Sequence, residues 1–172
     1  MRVLGVDPGT VVTGYGVIDE EDQRLFFVAS GGISTSSKFS ISKRLKKIFD
    51  ELTVAIEDYQ PHAVVVENTF VAKNMQTALK LGQARGVALL AAEQAGLPVF
   101  EYTPMQVKLA VTGYGAASKV QVQNMVHKLL KLSQIPDSHH VADALAAAIC
   151  HLHSAKMREL ANASPSEIGR RA

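Results

Sequence analysis

The sequence predicts an α/β domain built on a five-stranded mixed sheet flanked by helices. Two observations lead there. Short apolar runs in the first 34 residues, separated by turn residues, read as consecutive strands. After residue 40, longer segments with apolar residues at i, i+3 and i+4 alternate with further short apolar runs, the pattern of helices interleaved with strands.

Taken in order, the strands fall at about 3–7, 13–19 and 24–34, with Asp19-Glu20-Glu21-Asp22 as an acidic hairpin turn. A helix over about 41–58 carries Leu45, Ile48, Phe49, Leu52, Ala55 and Ile56 on one stripe and stops before Pro61. Lys43, Arg44, Lys46 and Lys47 lie off that stripe and are expected to face solvent. A strand at 63–67 follows. Then comes a helix over about 75–95, opened by Asn74 and closed by Gly96-Leu97-Pro98.

Within that helix Ala78, Gly82 and Gly86 recur every four residues. Glycine inside a helix costs about 1 kcal/mol relative to alanine, so this face implies a close backbone approach. The partner is either the sheet or a second subunit. A strand at about 98–101 precedes three helical segments. Thr103-Pro104 starts the first, Ser118-Lys119-Val120-Gln121 forms a capping box for a helix to about 132, and Pro136-Asp137-Ser138 leads into the last. Residues 1–158 read as one domain and 159–172 as a polar, disordered tail.

Composition bounds the function. The chain is 47% hydrophobic and 20% charged, a globular balance, and no apolar run approaches the roughly 18 residues of a membrane span. The only cysteine, Cys150, lies in an apolar stretch and reads as a small core residue in a reducing compartment; with no signal-peptide pattern, a cytoplasmic location is expected. Net charge is +2, yet residues 68–136 hold seven Lys and Arg against two Glu, a hint of a polyanionic substrate.

The chemistry concentrates on acids at strand ends. Val3-Leu4-Gly5-Val6 closes on Asp7, and Ala63-Val64-Val65-Val66 closes on Glu67. An unpaired carboxylate in an apolar setting costs several kcal/mol, so such acids need a compensating charge. In open α/β sheets the crevice lies beyond the carboxyl ends of the parallel strands, where both acids stand. Asp143 opens the last helix with His140 three residues before it on the same face. Oxygen donors suit Mg²⁺ or Mn²⁺, and an imidazole tilts the preference towards Mn²⁺. Two such ions stabilise attacking and leaving oxygens in phosphodiester hydrolysis. His151 and His153 diverge on a helix and read as packing or surface residues.

Four stretches carry a resemblance: Leu4-Gly5-Val6-Asp7-Pro8-Gly9-Thr10; Val66-Glu67-Asn68-Thr69-Phe70 with Ala72-Lys73-Asn74; Ala78-Leu79-Lys80-Leu81-Gly82-Gln83-Ala84-Arg85-Gly86; and Ala142-Asp143-Ala144-Leu145-Ala146. In this order, over about residues 1–155, the chain resembles the RuvC family of bacterial Holliday-junction resolvases. The resemblance implies a ribonuclease H-like fold, a homodimer and paired nicks in a four-way DNA junction, with two Mg²⁺ per site that Mn²⁺ can replace. It implies metal-binding and catalytic roles for Asp7, Glu67 and Asp143. The family's remaining ligand is often an aspartate at the place held here by His140, as in a subset of the family, and this substitution bears on metal preference. His139 ranks below it. Phe70 matches a family aromatic that stacks on bases, and Lys108 and Lys119 match lysines near the scissile phosphate. Lys73, Lys80 and Arg85 are further DNA-contact candidates, and a branch-migration motor (RuvA and RuvB) is the implied partner.

Rival readings remain at this stage. An actin-like ATPase also begins with Asp-x-Gly-Thr, but no second Asp-x-Gly follows Asp7. A non-catalytic DNA-binding module would be expected to lose some of the acids. A generic ribonuclease H-like nuclease acting on RNA–DNA hybrids shares the metal chemistry and differs in substrate.

Overall fold

The computed structural model describes residues 1–68, 74–136 and 138–162, with side chains of the last helix described to 155. Five strands and five helices follow one another: β1 Arg2–Asp7, β2 Val12–Glu21, β3 Arg24–Ser34, α1 Ile41–Tyr59, β4 Ala63–Glu67, α2 Met75–Gln94, β5 Val99–Tyr102, α3 Pro104–Thr112, α4 Lys119–Leu129 and α5 His139–Asn162. The sheet order is β3-β2-β1-β4-β5. β1, β2 and β3 are antiparallel neighbours, and β4 and β5 run parallel to β1. This is the expected mixed sheet.

Period-two alternation gives each central strand two buried faces. Leu4, Val6, Val64 and Val66 pack beneath α1 and α2, with Ile48, Leu52, Ala84 and Ala88. Val3, Ile18 and Val65 pack beneath α3, α4 and α5, with Val107, Val126, Leu145 and Ile149. Cys150 is buried in this second layer, where burial pushes its thiol up to about 11. His151 is also buried there, its ring 4.2 Å from that of Phe100, so it packs in the core. No described helix is long and apolar enough to cross a membrane.

Local sequence explains the helix ends. The Ser40, Asn74, Thr103 and Ser118 side chains each accept a backbone N–H in the first turn, and the last two form reciprocal capping boxes with Gln106 and Gln121. α4 stops at Leu129, short of the expected 132, because Lys131 turns left-handed at φ 49°. α5 continues through Asn162, past the expected domain boundary at 158; residues 163–172 lie outside the described residues.

One sequence expectation is corrected. Arg44 is not solvent-exposed: it is 7% exposed, folded back under the β1–β2 turn. Its Nε donates to the Thr10 carbonyl at 2.8 Å and to Thr35 Oγ1 at 3.0 Å, and its Nη2 also reaches the Thr10 carbonyl. Among the described residues, a Cβ at Gly82 or Gly86 would meet nothing within 4 Å, so neither glycine marks a close backbone approach to the described sheet.

The close helix–sheet approach occurs elsewhere, under α5. A Cβ at Gly5 would collide with the carbonyl of Ala144, one at Gly14 with the carbonyl of His140, and one at Gly16 with the Leu145 side chain. Three strand glycines therefore let α5 lie directly on β1 and β2. That contact brings the start of α5 to the end of β1.

Candidate metal centre

β1 and β4 are adjacent and parallel, with Val6 opposite Val66, so Asp7 and Glu67 leave neighbouring strand ends side by side. Both share the face of Val3, Gly5 and Val65, the face that α5 covers. Asp143, from the first turns of α5, arrives from above. One ligand atom from each of Asp7, Glu67 and Asp143 lies within 4.8 Å of the others.

Three carboxylates gathered so closely repel one another in a partly desolvated site. The Asp143 carboxyl is held above its ordinary range, first by burial and then by the charge of Asp7. Lys119 Nζ lies 3.7 Å from Asp143 Oδ2 while its side chain remains 64% exposed. An exposed ammonium at that distance does not neutralise three acids. An all-oxygen donor set of this kind fits a hard divalent cation.

His140 stands beside the acids rather than among the three that cluster. Its Nδ1 is 2.7 Å from Asp7 Oδ2, and that hydrogen bond is the main reason its pKa rises above the ordinary imidazole value; desolvation opposes the rise. The separation is also what two donors sharing one cation require, with metal–ligand distances of about 2.1 Å. His139, one residue earlier, is exposed.

The remaining candidates sit at varied distances from this centre. Lys119 is the first residue of α4, just after its capping box. Lys80 is exposed on α2, and Lys108 is half-buried on α3. Arg85 is tied to Glu101 of β5, Nη2 to Oε1 at 2.6 Å, and lines a cavity of about 230 Å³ with Pro8, Glu67 and Asn68. Phe70 and Lys73 lie outside the described residues.

Known proteins share both this sequence and this frame. Residues 3–151 match the family described as crossover junction endodeoxyribonuclease RuvC. The chain belongs to the RuvC family. The RuvC of Pelobacter propionicus is 51% identical over 172 residues, covering 100% of this chain and 96% of the relative. That of Geobacter sulfurreducens is 53% identical over 160 residues, covering 93% and 97%. Among solved structures, Thermus thermophilus RuvC in complex with a Holliday junction substrate superposes with a TM-score of 0.87 at 36% identity, covering 92% of this chain and 96% of that one. The yeast mitochondrial Holliday junction resolvase Ydc2, at 14% identity and a TM-score of 0.67, shares the fold.

Asp7 and Glu67 were legible from their position at strand ends, and Asp143 from helical spacing. Sequence reasoning missed Arg44 and the three strand glycines. The glycines were visible as Gly5 and as the Gly14-Tyr15-Gly16 alternation, a signal of close approach in a strand.

Proposed function

We propose that this chain is a metal-dependent endodeoxyribonuclease that resolves four-way DNA junctions by paired symmetric nicks, in recombination and repair. The observation that carries this reading is the convergence of Asp7, Glu67 and Asp143 from β1, β4 and α5 within 4.8 Å, in a chain of the RuvC family.

Asp7, Glu67 and Asp143 would hold the metal, with His140 as a further ligand through its imidazole. A divalent cation bound there supplies Lewis-acid stabilisation of phosphate charge and lowers the pKa of a water nucleophile. We take Mg²⁺, two per site, as the ion, with Mn²⁺ as a substitute favoured by the imidazole.

The chain's own residues do the rest. Asp7 and Glu67 are fixed by parallel pairing and Asp143 by the α5–glycine contact, so the donors are pre-arranged before substrate arrives. Asp7 holds the His140 imidazole at Nδ1, and in its neutral form that ring would be available as a further ligand to a bound cation. Lys119 is exposed enough to leave Asp143 and meet a phosphate when the acids are compensated. The first turn of α4 adds a favourable dipole for that anion.

Two symmetric nicks call for two sites related by a two-fold axis. The α2 face supports a dimer: Met75, Leu79 and Leu90 are 87%, 64% and 54% exposed, and they flank the open glycines Gly82 and Gly86. A helix with exposed apolar residues and bare backbone suits the same helix of a second copy. We place the work in the cytoplasm, with the branch-migration proteins RuvA and RuvB as partners by family membership. Incubation with Mg²⁺ or Mn²⁺ and a synthetic four-way junction, beside duplex and RNA–DNA hybrid controls, tests the reading; cleavage of the hybrid alone would replace it with a ribonuclease H activity.

A further inference from the structure

We infer that Arg44, acting with Thr35, is a positioning residue for the carboxylate of Asp7. The inference rests on the reading above that Asp7 binds the catalytic metal.

The turn from Pro8 to Val11 joins Asp7 to β2, and its carbonyls are fastened one after another. Thr13 Oγ1 donates to the Gly9 carbonyl at 2.7 Å. Thr35 Oγ1 donates to the Thr10 carbonyl at 2.5 Å, and the Thr35 N–H donates to the Val11 carbonyl at 2.8 Å. The Arg44 guanidinium adds its Nε and Nη2 to the same Thr10 carbonyl and its Nε to Thr35 Oγ1. The turn also abuts the proposed fourth ligand: a Cβ at Gly9 would lie 3.9 Å from Cε1 of His140.

A guanidinium loses much hydration on burial, and here it donates to a carbonyl and a hydroxyl, those of Thr10 and Thr35. A packing role alone is met more easily by Leu or Met at this place on α1. What the arginine adds is a rigid fork of donors that grips two acceptors at once. α1 covers the sheet face of Leu4 and Val6, opposite the face to which Asp7 points. Arg44 therefore acts through the backbone of the turn and touches no reacting atom. A turn left loose would let Asp7 wander relative to Glu67 and Asp143.

The test uses full-length Arg44→Lys, Arg44→Met and Thr35→Val proteins. Four readouts are compared with wild type: amide hydrogen exchange over residues 8–13, melting temperature, metal-free junction affinity, and single-turnover cleavage at saturating Mn²⁺. Supporting residues of a metal site typically matter by 10–100-fold. Cleavage is expected to fall by about that factor in both Arg44 variants, with junction affinity held within about threefold. Exchange should quicken at 8–13 and stay unchanged in β4, and lysine, lacking the fork, should not rescue. Thr35→Val, which leaves the arginine bonded to Thr10, should fall between. It decides the matter if the Arg44 variants fail to fold. Unchanged exchange at 8–13, full rescue by lysine, or a lower melting temperature with normal cleavage per folded molecule would overturn the assignment. A wild-type protein that cuts no junction would instead remove the functional reading, while the exchange measurement still tests the lock on the turn.

Discussion

His140 holds Asp7: the imidazole Nδ1 lies 2.7 Å from the Asp7 Oδ2, across a sequence separation of 133 residues. The contact joins the first strand to the last helix at the point where metal chemistry is proposed. It also makes a proton and a metal ion rivals for one pair of atoms.

That rivalry predicts an acid limit on activity. The proton shared with Asp7 must leave before His140 can ligate, and its pKa is raised by that hydrogen bond. The metal concentration giving half-maximal cleavage should therefore rise as pH falls through that raised pKa. His140→Ala should lose most activity at low metal and regain part of it at high metal. His140→Asp should keep activity with Mg²⁺ and weaken any preference for Mn²⁺. His139→Ala should behave as wild type. A metal titration at several pH values checks all four, and normal His140→Ala with inactive His139→Ala would move the ligand by one residue.

The same bond has a signature in stability without metal. A group whose folded pKa lies above its ordinary value stabilises the fold at pH below that ordinary value and loses the contribution as pH rises through the shifted one. For His140 the stabilisation is complete below about pH 6.5 and declines on the alkaline side. Metal-free wild type should therefore gain melting temperature relative to His140→Ala when the pH drops from about 8 to about 6. Added Mn²⁺ should reverse the trend, favouring wild type over His140→Ala more at about pH 8, where the imidazole is free to ligate, than at about pH 6. Calorimetry showing no pH-dependent gap between the two proteins would contradict the contact.

Asp143 supplies a converse effect. Burial and the nearby charge of Asp7 hold its carboxyl above the usual range, so its ionised form strains the metal-free fold at neutral pH. Asp143→Asn keeps the shape and removes that charge. The variant should melt a few degrees higher than wild type without metal at pH 7 and should gain less from added Mg²⁺, while its cleavage falls below detection. Equal metal-induced stabilisation in the two proteins would remove Asp143 from the ligand set.

Much of this centre was legible in the sequence because its signals are local. β4 could be read as Ala63–Glu67 because an all-apolar run lies between Pro61 and an acid, and period two then fixes which way Glu67 points. Asp143 and His140 follow from helical spacing. Arg44 was not legible: periodicity assigns a face to its Cα, but a long side chain can turn back beneath a loop that sequence places nowhere in particular. The glycines show the same limit. Gly82 and Gly86 attract notice because glycine is costly in a helix, yet their side is open. The approach that builds the centre falls at Gly5, Gly14 and Gly16, where a helix more than 120 residues away crosses the strands.

The α2 face gives a prediction about assembly. Gly82→Leu or Gly86→Leu adds side chain where a second copy is expected to press, and a Cβ at either place meets no described atom of its own chain within 4 Å. Both should fold with a normal melting temperature, shift sedimentation from dimer to monomer, and lose paired cleavage. Dimers of unaltered affinity in both variants would place the interface elsewhere.

The most direct measurement of the central claim is a map of strand breaks on an end-labelled four-way junction, made with wild type and with Glu67→Gln. Wild type in Mg²⁺ or Mn²⁺ is predicted to leave two nicks at symmetric positions in opposed strands and to leave linear duplex whole. Glu67→Gln should bind the junction with at least wild-type affinity and cut neither strand, because one carboxylate facing phosphate has been neutralised. Cleavage by Glu67→Gln at the wild-type rate, or wild-type nicks scattered equally over junction and duplex, would contradict it.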